Sequence, residues 1–311
     1  MTATEESRAT APYATPDDLR TALVDAGILH LTRVDGVHHR SWTFERVLRG
    51  VEQYVAAQRL VEGVRQRWFP PVMPRDEFLR TDYLRSFPDL VGSIDVFAGG
   101  DREHRALLET LERGEDWTGH LTPGEVVLPS SVCHPLYGTL APDVPAEGLH
   151  EECSGWSFRH EPSLDPTRMQ IFRMYEFVRV GTPQQALEHR DGWLAHGAAA
   201  LAALGLPVRT EAASDPFFGR VGRMLAANQL TASLKFEVVV DLTAVRPTAI
   251  ASSNYHEDHF GHPFGLHLAD GSAAHSACFG FGLERVTLAL FAVHGTDVET
   301  WPADIRAALG C

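Results

Sequence analysis

The sequence predicts an α+β protein, an antiparallel sheet flanked by helices. Three observations predict it. Strand-like segments dominate the middle of the chain, helix-like segments flank them, and the order is not a regular strand–helix–strand succession. The length of 311 residues allows one large domain or two modest ones.

Each element has its own local reason. Residues 43–60 carry Phe44, Val47, Leu48, Val51 and Val55 at helical spacing. Pro70, Pro71 and Pro74 then stop the helix and favour extended chain. Residues 125–130 read as a strand running into Cys133. Residues 156–161 and 170–180 read as extended, and the polar stretch 162–168 makes them a long-looped antiparallel hairpin. Thr182 and Pro183 supply an N-cap and a first-turn proline for a helix reaching about residue 204, where Gly205 and Pro207 stop it. Residues 215–230 form a second, shorter amphipathic candidate. A β-branched strand covers 236–242, a glycine-rich stretch covers 277–282, and 283–293 closes the chain as a helix.

Composition removes whole classes of function. The net charge is −14, which gives no general electrostatic reason to hold nucleic acid or an anionic membrane. Lys235 is the only lysine, so every other cation is an arginine, the side chain whose planar fork suits phosphates and carboxylates. No stretch is long and apolar enough to cross a bilayer. Residues 1–16 hold no apolar signal core and are expected to be a disordered tail. The four cysteines are too scattered for a disulfide scaffold. A cytoplasmic enzyme is therefore expected, in which paired cysteines would hold metal.

Two segments carry candidate chemistry. Phe158-Arg159-His160-Glu161, followed by the loop with Arg168 and then Arg173-Met174-Tyr175-Glu176-Phe177, offers a phosphate fork, a carboxylate for an amino group and an aromatic face. On spacing alone a surface ion pair beside a core phenylalanine is the favoured explanation. Gly280-Phe281-Gly282-Leu283-Glu284-Arg285 places an arginine at the head of an apolar helix. It is neither a dinucleotide-binding fingerprint nor a P-loop, so a nucleotide would bind by another route.

Taken in order, these segments resemble the class II aminoacyl-tRNA synthetase catalytic domain, most closely seryl-tRNA synthetase. Phe158 to Glu161 resembles the FRxE of motif 2, residues 173–177 its return strand, and Gly280 to Arg285 the GxGxxR of motif 3. The 43–60 helix with Pro70-Pro71 resembles motif 1, the dimer-forming element; Lys235-Phe236-Glu237 and Ala251-Ser252-Ser253-Asn254 resemble two further steps. The resemblance implies that residues 17–311 are a single catalytic domain. It implies ATP contacts from Arg159, Glu161, Arg168, Met169, Phe177, Ser252, Ser253 and Arg285, with Arg159 and Arg285 catalytic and Phe177 stacking on adenine. Lys235, Ser253 and Glu176 would meet the amino acid.

No sustained heptad precedes the motif 1 segment, so the tRNA-gripping coiled coil of the seryl enzymes is not expected. This pattern is similar to the amino acid:[carrier protein] ligases, truncated homologues that load a small amino acid onto the phosphopantetheine thiol of a carrier protein. It implies glycine or alanine and ATP as substrates, Mg2+, a homodimer, no tRNA, and Zn2+ held by Cys133, Glu176 and Cys278 on three central strands. The ligand-rich stretch 255–262 is expected to be a solvated loop, with Glu257 or Asp258 near magnesium. Arg220 and Arg223 on the 215–230 helix could dock an acidic carrier, or simply be solvated. Two other readings stay open: an enzyme that charges tRNA or another acceptor, and a regulatory paralogue that binds ATP or amino acid without catalysis.

Overall fold

The structure, a computed structural model, describes residues 11–311, the side chains of Arg220 and Val221 excepted. Its centre is a seven-stranded sheet. In chain order the strands are β1 (Arg65–Phe69), β2 (Leu149–Phe158), β3 (Ile171–Gly181), β4 (Val208–Ala212), β5 (Lys235–Val240), β6 (Thr248–Glu257) and β7 (His275–Gly282). Across the sheet they run β1-β2-β3-β7-β6-β5-β4. Every neighbouring pair is antiparallel except β1 with β2. The six helices that matter most are α1 (Pro16–Asp25), α2 (Trp42–Ala56), α3 (Pro183–Ala203), α4 (Gly219–Thr231), α5 (Leu283–His294) and α6 (Ala303–Leu309). The α+β expectation and its antiparallel sheet hold.

The 43–60 helix forms as α2, capped by the Ser41 hydroxyl, which accepts from Phe44 N–H at 3.1 Å. Phe44, Val47, Leu48, Val51 and Val55 are its buried stripe. Gly50 lets α6 approach closely, since a Cβ there would lie 2.1 Å from Leu309 O. Thr182 and Gln185 close a reciprocal capping box on α3. Trp193 of α3 stacks on Phe177 with centroids 3.9 Å apart, and Phe279 and Phe281 share that layer.

One ion network ties α2, β3 and α5 together on this face. Arg173 makes a two-pronged pair with Glu45 at 2.8 Å and donates from Nε to Glu284 at 2.9 Å. Glu284 also accepts from the Arg173 main chain at 2.6 Å and pairs with Arg40 at 3.1 Å. Breaking one partner of such a buried set typically costs about 3–5 kcal/mol.

Three expectations need correction. The 125–130 strand is Thr122–Val127, and it belongs to a separate three-stranded sheet with Met73–Pro74 and Ser93–Val96. Cys133 therefore lies off the central strands, at the start of the one-turn helix His134–Tyr137. Of the expected tail, residues 1–10 lie outside the described residues, but residues 11–16 are placed. Tyr13 N–H donates to Leu242 O at 3.3 Å, and Thr15 caps α1 through a capping box with Asp18. The stretch 255–262 is not wholly a solvated loop, because Tyr255 and His256 lie on β6 and His256 faces the cavity described below.

Under the sheet, His189 of α3 is buried and meets Phe177 O at 3.0 Å. Burial, reinforced by His150 and Arg179, lowers its pKa to about 3. Below pH 6.5 the unfolded chain takes up a proton there that the folded chain refuses. Stability conferred by neutral His189 is thus complete above pH 6.5 and is lost as pH falls toward 3. Replacing it by a non-titrating donor, His189→Gln, should flatten the pH dependence of unfolding free energy between pH 6 and 4 by up to about 1.4 kcal/mol per pH unit. Urea titrations across that range read the slope, and an unchanged slope would contradict the assignment.

Candidate active site

Past the end of β2 the chain turns into the hairpin loop, so Arg159 and Glu161 lie beyond the strand. Arg159 N–H donates to Gln170 O at 2.8 Å, and its Nε donates to Ser130 O at 3.2 Å. Its guanidinium lies 5.5 Å from the centroid of Phe172. Glu161 and Arg168 face one another at 3.7 Å. Arg285, in the first turn of α5, donates to Thr167 O at 2.8 Å and to Ala249 O at 3.1 Å. Burial, with Arg159 and Arg168 adding repulsion, pulls the Arg285 pKa down to about 10. Three cations crowded around one loop repel each other, and an anion placed among them relieves that cost.

Beside this loop opens a cavity of about 570 Å3. Its floor is one face of the sheet. Met174 and Glu176 of β3, Cys278 and Gly280 of β7, Ser252 and Asn254 of β6 and Lys235 of β5 all line it. The register explains the set: Glu176 lies opposite Gly280, Gly280 opposite Ser252, and Cys278 opposite Asn254.

Strand alternation removes two expected contacts, and core packing removes a third. Phe177 is adjacent to Glu176 and so faces the other way, into the α3 layer against Trp193. It cannot stack on a ligand in the cavity. Phe172 shares the face of Met174 and Glu176 and carries the aromatic surface next to Arg159. Ser253 is fully buried on the helix side, where its hydroxyl donates to Arg190 O at 2.7 Å; Ser252 alone of the serine pair reaches the cavity. The Met169 side chain belongs to the core, with Arg40 Nη2 at 3.6 Å from its sulfur, leaving only its main chain for a ligand.

Cys133, Glu176 and Cys278 come together, with one ligand atom from each within 4.8 Å of the others, all buried. Glu176 Oε1 accepts from the Ser131 hydroxyl at 2.7 Å, whereas its buried Oε2 has no hydrogen-bond partner. Gly280 leaves room for this carboxylate, because a Cβ there would approach Glu176 Cγ to 3.1 Å. The Cys278 thiol beside it, burial and the Glu176 charge all push the Cys133 thiol well up. Uncompensated, two thiols and a carboxylate in so small a volume are an unfavourable arrangement. A divalent cation resolves it by stabilising the thiolates and giving the orphaned oxygen a partner, so the residues fit a metal ion. Cys153 lies opposite Glu176 in register but outside the donor group. His134, whose pKa burial and Arg159 lower to about 3, is also outside it. Sequence reasoning missed Ser131, Asn254 and His256 around these donors, because each acts through a neighbour rather than a motif.

The roof comes from residues 213–234, which join β4 to β5. Asp215 pairs with Lys235 and accepts from Gln229 Nε2 at 2.8 Å, while Gln229 Oε1 accepts from Asp215 N–H at 2.6 Å. Phe217 stacks on Phe87 with centroids 4.9 Å apart. Above this anchor, Phe218 at the start of α4 and Met224, Leu225 and Leu230 on it are exposed. Arg223 is exposed on the helix, and the Arg220 side chain lies outside the described residues.

No family model matches the chain. It is 39% identical over 286 residues to amino acid–[acyl-carrier-protein] ligase 1 of Bradyrhizobium diazoefficiens, covering 91% of this chain and 87% of that protein. Ligase 2 of the same organism is 40% identical over 304 residues, with 97% and 90% covered. The chain belongs to the amino acid–[acyl-carrier-protein] ligase family. The type-2 serine–tRNA ligase of Methanopyrus kandleri is 26% identical over 273 residues, covering 78% of this ligase and 50% of that protein. Solved structures agree on the class II synthetase fold. M. kandleri SerRS in complex with A. aeolicus tRNASec superposes with a TM-score of 0.79 at 20% identity, covering 95% of this chain and 60% of that one. Serine–tRNA ligase of Naegleria fowleri in complex with AMP superposes at 0.70 and 14% identity, covering 97% and 69%. Among the described residues of this family member, no helix is long and apolar enough to cross a membrane.

Proposed function

We propose that the enzyme activates a small amino acid with ATP and passes it to the phosphopantetheine thiol of a carrier protein. The observation that carries this reading is the buried Cys133–Glu176–Cys278 group on the floor of a cavity whose rim holds Arg159. The family relationship supports it, since its two relatives are named as acyl-carrier-protein ligases.

In the first step a carboxylate oxygen of the amino acid attacks the α-phosphorus of ATP in line. The bond to pyrophosphate breaks, and an aminoacyl-adenylate remains. Arg159 neutralises the α-phosphate, Arg285 the γ-phosphate and Arg168 the rest of the phosphate tail. Glu161 accepts from the adenine amino group, and Phe172 offers the stacking face. Lys235, already turned into the cavity, meets the carboxylate or phosphate side. A zinc ion held by Cys133, Glu176 and Cys278 would supply an open coordination position for the neutral amino group. Magnesium would arrive with ATP; Glu257 lines the cavity, whereas Asp258 turns outward to His262 at 3.2 Å. Met174, the buried ring of His134 and the half-buried ring of His256 fill the walls around the donors, which favours glycine or alanine.

In the second step the carrier thiolate attacks the acyl carbon, and the bond to AMP breaks. Exposed apolar residues on α4, flanked by Arg223, suit an acidic carrier surface; Arg220 joins this proposal from its sequence position alone. Two copies would pair along the free edge of β1, where Trp68 is 64% exposed. Residues 17–311 then act as one catalytic domain in the cytoplasm, without tRNA.

Pyrophosphate exchange should occur with glycine or alanine, and Cys278→Ala should abolish it together with bound zinc. Exchange at full rate in a metal-free variant would remove the metal from the reaction. Given labelled amino acid, carrier protein and tRNA side by side, the enzyme should label the carrier; charged tRNA and unlabelled carrier would overturn the acceptor. Phe172→Leu should raise KM for ATP about tenfold, the equivalent of ~1.4 kcal/mol of lost stacking. Arg223→Glu should slow carrier loading about tenfold at unchanged exchange, again ~1.4 kcal/mol; equal loading by variant and parent would make α4 a structural element only.

A further inference from the structure

The two cysteines of the donor group are not equivalent. Asn254 Nδ2 donates toward Cys278 Sγ at 3.5 Å, and His256 Nε2 lies 3.5 Å from the same sulfur. The Cys133 sulfur has a different setting. Its nearest hydroxyl, Ser131, is 3.7 Å away and gives its proton to Glu176 instead.

We infer that Asn254 and His256 are positioning residues for the Cys278 sulfur, and that their two N–H···S bonds set how much charge this thiolate gives to a bound metal. The inference rests on reading Cys133, Glu176 and Cys278 as a metal site.

Both donors are locked in place. Asn254 lies directly opposite Cys278 in the β6–β7 register, and its amide nitrogen spends its other proton on Ser252 Oγ at 3.2 Å. His256 occupies the position where the register shifts between Tyr255 and Glu257, and Glu257 adopts a left-handed φ of 54°. Its ring stands edge-on to Phe260 with centroids 5.1 Å apart. On its far side Nδ1 meets Ser276 Oγ at 3.0 Å. The Tyr137 hydroxyl donates to Ser276 Oγ at 3.3 Å, which leaves the Ser276 proton to point at Nδ1. Assigning Nδ1, with the Tyr137 hydroxyl a further 3.4 Å away, as the acceptor of these hydroxyls places the single ring proton on Nε2, toward Cys278.

The chemical consequence follows from charge. Two thiolates and a carboxylate would outweigh the two positive charges of zinc, leaving the metal a poor acceptor for a neutral amine. N–H donors draw electron density back onto the Cys278 sulfur, so the metal keeps more of its acidity toward the substrate amino group. Cys133 remains the stronger donor and the firmer anchor.

Cobalt substitution reads this directly. The parent, Asn254→Ala, His256→Phe and His256→Gln are loaded with Co2+ and compared by absorption spectrum, by competition with a chelator, and by KM for amino acid and for ATP. Losing a donor should move the sulfur-to-cobalt charge-transfer band to lower energy; because the sulfur then gives up its proton less readily and is no longer held in place, apparent metal binding should also weaken about 10–100-fold. KM for the amino acid should rise while KM for ATP stays. His256→Gln, which retains an N–H, should recover part of each effect. Asn254→Ala removes one donor at little cost in packing, so the test survives if His256→Phe does not fold. Bands and chelator competition identical to the parent's in Asn254→Ala would overturn the inference. A parent that takes up neither zinc nor cobalt would instead overturn the metal reading beneath it.

Discussion

Strand β3 has two faces with incompatible tasks, and the rest of the molecule is arranged around that division. Met174 and Glu176 look into the cavity and Phe172 shares their face beside Arg159, while Arg173, Tyr175 and Phe177 look toward the helices. A shift of one residue in pairing would bury Phe172 and push the Arg173 guanidinium into the site. The Arg173 network with Glu45 and Glu284 helps prevent that slip. It joins one residue from each of the three segments that resemble class II motifs, and so sets their register together.

The cavity face gathers charges that the helix face could not tolerate. Arg159, Arg168 and Arg285 surround one loop, and repulsion among them adds to burial in lowering the Arg285 pKa. Cys133, Cys278 and Glu176 crowd the floor. Glu161 offsets part of the arginine charge through Arg168, whereas burial and its arginine neighbours leave Arg285 disfavoured; each cluster has the sign that a phosphate tail or a divalent cation would neutralise. The scaffold carries this cost because the opposite face is densely packed, with Phe177, Trp193, Phe279 and Phe281 in mutual contact.

Much of this was legible in the sequence, and the exceptions have physical causes. Helices α2 and α3 announce themselves through a buried stripe and a capping box, and the hairpin through two extended runs around a polar loop. Motif order pointed correctly to the family. Period two was present in the sequence as well. Adjacent residues Glu176 and Phe177 cannot share a face, nor can Ser252 and Ser253, yet motif matching assigned both members of each pair to one site. Strand parity would have selected Phe172 and rejected Phe177. Cys133 was placed on a central strand by the resemblance, with residues 125–130 read as a strand running into it, and nothing local distinguishes a strand of the main sheet from one of a small accessory sheet. Helix α1 was missed although Thr15, Pro16 and Asp18 spell its start, because the low-complexity residues before it obscured the signal. Asn254 and His256 were invisible for a different reason: their relation to Cys278 exists only once β6 and β7 are paired.

The 213–234 segment leaves the sheet at the end of β4 and returns at the start of β5, and those two strands are neighbours paired in continuous register. Its departure and return points are thus held together by the sheet whether or not the excursion is folded. Such a segment can change length, charge or sequence without disturbing the strands that carry the donor group. It is tied to the chemistry through the Gln229–Asp215–Lys235 contact. On the docking role proposed for α4, family members would diverge in what they dock while inheriting the same activation site, and exchanging this excursion between paralogues would transplant acceptor choice as a cassette.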